Sequence, residues 1–183
     1  LGQLGTILNG RFSGGPVTTA IELPQTVSAA ASYEGDKVEI LADWTWTGWS
    51  SIQDLVIQRP DGSTLSTVPL RFEDTWRAGL GVNYRLNDGF TLRLGTAYDK
   101  SPVQDAYRTP RLPDEDRVWA SAGFQYRFGK TQAIDFGYAH LFVKDATSNL
   151  GNQDASSSPP TGTLLGTYTS RVNILSIQYR RTF

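Results

Sequence analysis

Residues 101–117 read "SPVQDAYRTPRLPDEDR". Arg108, Arg111, Asp114, Asp116 and Arg117 crowd this stretch beside Pro102, Pro110 and Pro113. Guanidinium and carboxylate groups this close form charge-assisted hydrogen bonds. Three prolines lower the entropy lost when such a loop orders. The loop is therefore expected to fold inward and pair its charges with whatever wall it meets. A second set of charges is spread out singly: Asp43, Arg77, Arg93, Asp99, Arg127 and Asp135. Catalytic chemistry has little to work with. There is no cysteine and one histidine, His140, so thiolate and multi-histidine metal sites are excluded. A nucleophile needs a base within hydrogen-bond reach. His140 instead shares an apolar phase with Tyr138 and Phe142, as an interfacial histidine would. No catalytic residue, metal or cofactor is expected.

The elements that must position these charges have a period of two. "KVEILADWTW" sets Val38, Ile40, Ala42, Trp44 and Trp46 against Glu39, Leu41, Asp43 and Thr45. "TWRAGLGVNYR" sets Trp76, Ala78, Leu80, Val82 and Tyr84 against Arg77, Gly79, Gly81 and Asn83. Five more segments alternate likewise, near residues 27–33, 90–99, 118–128, 133–143 and 171–183. Alternation over such lengths predicts strands with one apolar face. The links also alternate. Short ones fall at "EGDK", "LNDG" and "GKTQ"; long ones span 50–72, 100–116 and 145–168. Asn-Asp-Gly is a hairpin signal. The stretch "SNLGNQDASSSPPTGT" reads as loop by composition. Short turns at one end and long loops at the other describe an up-and-down antiparallel sheet, as in a membrane barrel.

Two architectures share this pattern. A soluble sandwich or lipocalin-like barrel would bury the aromatic face and turn the other to water. Here that other face is sparse and small, with Gly79, Gly81, Gly95, Gly123 and Gly137 between charges of both signs. Opposite charges on neighbouring strands suit a barrel lumen. The apolar face ends in amphipathic rings, Trp44, Trp46, Trp76, Tyr98, Tyr126 and Phe183 among them, which favour the boundary of hydrocarbon and water. The membrane reading is therefore preferred. No apolar run reaches the ~20 residues of a membrane helix, but a membrane strand needs only ~9–11. A net charge of −1 gives no reason to expect nucleic acid as a partner.

Four stretches carry a family resemblance: "ADWTWTGWS", "EDTWRAGLGVNYRLNDGFTLRLGTAYDKSPV", "RTPRLPDEDRVW" and the closing strand that ends in Phe183. From about residue 20 to the end the chain resembles the FadL-type long-chain fatty-acid transporters of the Gram-negative outer membrane. The resemblance implies an all-β, antiparallel, up-and-down transmembrane barrel of roughly fourteen strands, plugged by an N-terminal hatch. Residues 1–183 would supply about seven C-terminal strands, with 1–24 as the end of an extracellular loop and the start of a strand. The hatch and first strands would lie outside this sequence, and a second chain could supply the missing half. The implied cargo is a long-chain fatty acid or similar hydrophobic molecule, released laterally into outer-membrane lipid. Some relatives carry aromatic hydrocarbons, so cargo identity stays open. The resemblance also implies cargo contacts at Arg71 and Phe72, with a basic group holding the cargo carboxylate. A soluble all-β binding module and a lipase-type barrel enzyme are the alternatives.

Overall fold

The structure is a computed structural model and describes residues 15–150 and 163–182. Seven long strands form one antiparallel sheet. They are β1 (Thr26–Glu34), β2 (Val38–Thr47), β5 (Thr75–Asn87), β6 (Phe90–Asp99), β7 (Arg117–Phe128), β8 (Gln132–Val143) and β11 (Arg171–Arg181), adjacent in that order. Each pairs only with its sequence neighbours within the sheet, so the topology is a meander. The three short links are tight turns. Gly129, with φ near 76°, occupies the left-handed region that the β7–β8 turn requires.

Two of the long links are more than loops. Residues 50–72 contain a hairpin of β3 (Asp54–Gln58) and β4 (Thr64–Pro69), and residues 145–168 contain β9 (Ala146–Leu150) paired with β10 (Leu164–Tyr168). The stretch read as loop by composition, 148–163, begins inside β9, and the hairpin within 50–72 was not anticipated. Five- and six-residue strands are too short for alternation to stand out from turn-rich surroundings. Thr18 bridges Gln58 at the margin of the first hairpin. The strand start expected by residue 24 begins at Thr26 instead.

The register keeps every alternating set on one face. One row runs Trp44, Ala78, Tyr98, Val118, Phe142 across β2, β5, β6, β7 and β8, and another runs Val38, Tyr84, Leu92, Phe124, Phe136, Ile177 through to β11. This apolar face is exposed: Leu80, Leu94, Leu175 and Ile177 are all more than half accessible. The few buried strand residues of the sheet, Thr75, Ala97, Gln125, Ala133 and Leu141, all sit on the opposite face. A water-soluble sandwich would show the reverse. Large contiguous apolar exposure marks a surface meant for something other than water.

Aromatic side chains gather at both ends of the exposed face. At the long-loop end Trp46 lies directly opposite Trp76, and the rings of Trp76 and Tyr98 are 5.1 Å apart. At the short-turn end Phe90 stacks on Phe124 at 5.4 Å, and Tyr126, Phe128 and Tyr179 follow at 6.0 and 6.3 Å. Tyr126 thus belongs to the second belt, with Trp44, Trp46, Trp76 and Tyr98 in the first. Phe183 lies outside the described residues.

Candidate functional site

The face opposite the exposed apolar one has charged rims and an apolar waist. Toward the long-loop end Asp43 accepts a 2.7 Å bond from Arg77, and Arg117 reaches Asp99 at 2.9 Å and Asp114 at 3.1 Å. The Asp43 carboxylate lies over Gly79, where an added Cβ would come within 2.3 Å of it. Glycine there makes room for the pair. Below follow Ala97, Trp119 and Leu141, then Leu41, Gly81, Gly95, Ser121, Ala139 and Ile174, all in register on this face.

Toward the short-turn end the charges resume. Arg93 lies 3.0 Å from Asp135, although β7 separates their strands. Gly123 is the residue opposite Arg93 on β7, and its missing side chain lets the guanidinium cross. Asp135 also accepts from Gln125 at 2.8 Å and from Arg180 Nε at 3.0 Å. Asn83 donates to Glu39 at 2.7 Å, and Arg85 pairs with Glu34. Arg127, expected in the charge network, donates to the neutral Gln125 instead. Its own row offers Ala133, so no carboxylate is opposite.

Residues 100–116 form a roof at the long-loop end, packed against β9. Arg108 is fully buried. Its guanidinium pairs with Glu115 at 2.8 Å and with Asp105, and donates to the carbonyls of Asp114 at 3.1 Å and Thr147 at 2.6 Å. Ser148 on β9 donates back to the Arg108 carbonyl at 3.1 Å. Asp116 accepts from the Tyr98 hydroxyl at 2.6 Å and from the Ser101 amide at 2.9 Å. Asp114 accepts from the Ser101 hydroxyl at 2.8 Å. Arg111 is exposed and has no ion pair among the described residues. Residues 105–107 form a single 3-10 turn.

Arg71 and Phe72 sit between this roof and the β3–β4 hairpin. Arg71 adopts φ near 48°, a left-handed conformation uncommon for a residue with a side chain. The Leu70 and Arg71 amides both donate to the Gln53 carbonyl at 2.8 Å, which holds that turn. The Arg71 guanidinium reaches Asp54 at 3.4 Å while staying nearly half exposed, and the Arg71 carbonyl accepts from Gln104 of the roof. Phe72 is buried, edge-on to Trp49 at 6.1 Å. Nearby, the Ser50 hydroxyl and then the Ser50 amide, which donates to Asp74 at 2.9 Å, hold the Asp74 carboxyl below the usual carboxylate range.

Among the described residues His140 has no nucleophile beside it. Its Nδ1 lies 2.8 Å from Asn173 Oδ1, which also accepts from the Tyr138 hydroxyl at 2.7 Å. These three polar groups satisfy one another on the apolar face. Four charged residues that matter were missed as partners. Asp135 was legible only as one more polar-face residue, and Glu115, Arg180 and Glu34 were not singled out. Cross-strand register is what joins Arg93 and Arg180 to Asp135. The adjacent carboxylates of "DED" were the available signal for Glu115.

The family profile described as outer membrane protein transport protein (OMPP1/FadL/TodX) matches residues 2–183. The 47 kDa outer membrane protein of Pasteurella multocida is 38% identical over 112 residues, 61% of this chain and 26% of that protein. The long-chain fatty acid transport protein of Escherichia coli K12 is 37% identical over 106 residues, 58% of this chain and 24% of that protein. The crystal structure of a Pseudomonas aeruginosa FadL homologue superposes with TM-score 0.82 at 34% identity, covering 90% of this chain and 37% of that one. The P. putida toluene transporter TodX superposes at 0.60 with 18% identity, a likeness of fold. The chain thus spans well under half the length of these relatives.

Proposed function

We propose, from the premise that the chain belongs to the outer membrane protein transport protein family (OMPP1/FadL/TodX), that its sheet is the C-terminal part of a barrel wall carrying long-chain fatty acids or similar amphiphiles across the outer membrane. The observation that supports this most directly is the face opposite the apolar rows. It offers a waist of Leu41, Trp119, Leu141 and Ile174 between rims of paired charges. A hydrocarbon chain gains by burying against such a waist, at roughly 25 cal/mol per Å². Water-seeking solutes gain nothing there.

In this reading Arg71 is the extracellular contact for the cargo head group, and Phe72 with Trp49 forms the apolar ledge beneath it. The Arg71–Asp54 contact is half exposed, and such pairs contribute little, about 0–1 kcal/mol. An arriving carboxylate can therefore take the guanidinium. Release of cargo sideways into lipid, through strands outside this sequence, belongs to the same proposal, as does a plug inside the complete barrel.

The test uses the complete protein in lipid vesicles, with uptake of labelled palmitate, hexadecanol and toluene measured side by side. Arg71→Gly keeps the left-handed turn and removes the charge. It should weaken palmitate binding by one charged hydrogen bond, about 1.5–3 kcal/mol, and spare the alcohol. Equal losses for acid and alcohol would mean that the ledge, not the charge, was damaged. Vesicles that take up none of the three would sink the transport reading.

A further inference from the structure

Residues 70–73 run between two walls and are tied to each in turn. On one side stands the base of the β3–β4 hairpin. The Gln53 carbonyl accepts the Leu70 and Arg71 amides at 2.8 Å, the Ile52 carbonyl accepts the Phe72 amide at 3.4 Å, and the Gln53 side-chain amide donates to the Phe72 carbonyl at 3.2 Å. On the other side stands the roof. The Arg71 carbonyl accepts from the side-chain amide of Gln104, and the Glu73 amide donates to the Pro102 carbonyl at 3.1 Å. Lys100 adds an ion pair with Glu73 at 3.6 Å.

This clamping has a local reason. Arg71 is the only non-glycine with positive φ among the described residues. That conformation is unfavourable for a residue with a Cβ, and it persists only where the surroundings over-determine it. If φ relaxed to the ordinary negative range, the Cβ would leave the backbone in another direction and the guanidinium would be aimed elsewhere. The position of the charge therefore depends on what holds the turn.

Gln104 is suited to hold it because its own backbone is fixed. Its carbonyl accepts the Tyr107 amide at 3.0 Å, across the 3-10 turn. The preceding Val103 is buried; its amide bonds the Ser101 hydroxyl at 3.2 Å, and its carbonyl accepts from Arg108 at 3.4 Å. The buried guanidinium that organises the roof thus also fixes the post from which Gln104 reaches. The Gln104 side chain makes no other hydrogen bond among the described residues.

We propose that Gln104 is a positioning residue for Arg71. Its bond to the Arg71 carbonyl holds the left-handed turn and keeps the guanidinium aimed at an arriving carboxylate. The roof thereby sets the preference for an acid over a neutral amphiphile of equal length, without any roof side chain touching the cargo. This rests on the reading of Arg71 as the head-group contact.

The experiment measures equilibrium binding of palmitate and of hexadecanol to the complete protein in detergent, for the parent, Gln104→Met, Arg71→Gly and the double variant. Methionine keeps the length of the side chain and removes the N–H donors. Gln104→Met should weaken palmitate about three- to tenfold, the worth of one neutral hydrogen bond, and leave hexadecanol within about twofold. In the Arg71→Gly background the same substitution should change neither ligand, because glycine adopts positive φ readily and no guanidinium is left to aim. Heat-dependent gel migration checks that each variant is folded, and Gln104→Ala carries the same test if Gln104→Met does not fold. Palmitate unmoved by Gln104→Met, acid and alcohol weakened alike by it, or an equal loss of palmitate in the Arg71→Gly background overturns the positioning role while the transport reading stands. Palmitate unmoved by Arg71→Gly removes the head-group contact and the positioning role together. A parent protein that binds neither ligand removes the transport reading as well.

Discussion

Arg108 is a charged side chain with no exposed surface, and what makes that tolerable is the number of acceptors around it. A buried guanidinium without partners is very costly, and breaking a buried pair by removing one member costs about 3–5 kcal/mol. Arg108→Met would leave Glu115 buried beside Lys144, whose ammonium stands 3.7 Å away and is mostly solvated. The roof should then detach from the β9–β10 hairpin, because the bonds to the Thr147 and Asp114 carbonyls go as well. Limited proteolysis on intact cells should cut within residues 100–116 far faster than in the parent, while the strands keep their resistance to heat and detergent. A roof as protease-resistant as before would mean that Asp116 and Asp114, through Tyr98, Ser101 and Arg117, hold it unaided.

At the scale of the element, the glycines of the sheet are not interchangeable. Gly123 and Gly137 are opposite one another on β7 and β8, and a Cβ on Gly123 would sit 2.4 Å from the Phe136 carbonyl oxygen. That atom is backbone and cannot step aside without breaking the ladder. On Gly81 the same Cβ would find its nearest neighbours at 3.7 Å, an ordinary contact. Gly123→Ala should therefore prevent or severely impair folding, and Gly81→Ala should be accepted, with any loss under about 1 kcal/mol. Comparing the heat-modifiable fraction of the two complete proteins decides it; equal yields would show that β7 and β8 can move apart at no cost. The strands can be long and even because the turns are short. Among the described residues of the seven-stranded sheet the one register shift, between Arg85 and Asn87, sits beside the Asp88–Gly89 turn, where a bulge adds twist without turning the rows above it.

For the whole molecule the decisive fact is which face meets the lipid. The apolar rows are exposed and the paired charges lie on the other side. In an outer-membrane barrel the apolar band faces hydrocarbon between two aromatic girdles. Trp44 and Trp76 should then lie at the long-loop interface of the membrane. In the reconstituted complete protein, lipids brominated near the head group should quench them strongly, and lipids brominated at the chain end should do so weakly. Quenching by aqueous iodide alone would reverse the assignment of faces. Among the described residues the sheet also ends in two strands, β1 and β11, each paired on one side only. Unpaired backbone groups are not tolerated in lipid, so in a membrane each of these edges is expected to be paired or covered.

Seven strands and their two faces were legible because alternation and register are the same information: side chains two apart share a face whichever strand lies beside them. Trp44 and Trp46 could be placed together with Val38 and Ile40 on that ground alone. The family could be read from the "RTPRLPDEDR" stretch, where the order of residues is itself unusual. What stayed hidden is what depends on a neighbour far away in sequence. That Arg93 meets Asp135 rather than Asp99 follows from two turns and the gap at Gly123. That Arg127 faces Ala133 and Gln125, with no carboxylate across from it, follows from the β7–β8 register. The hairpins inside the long links were invisible because five residues carry too little pattern. Arg108 looked like any charge on a loop; only the packing of the roof on β9 takes it out of water, and a side chain removed from water must have each of its hydrogen bonds supplied by protein.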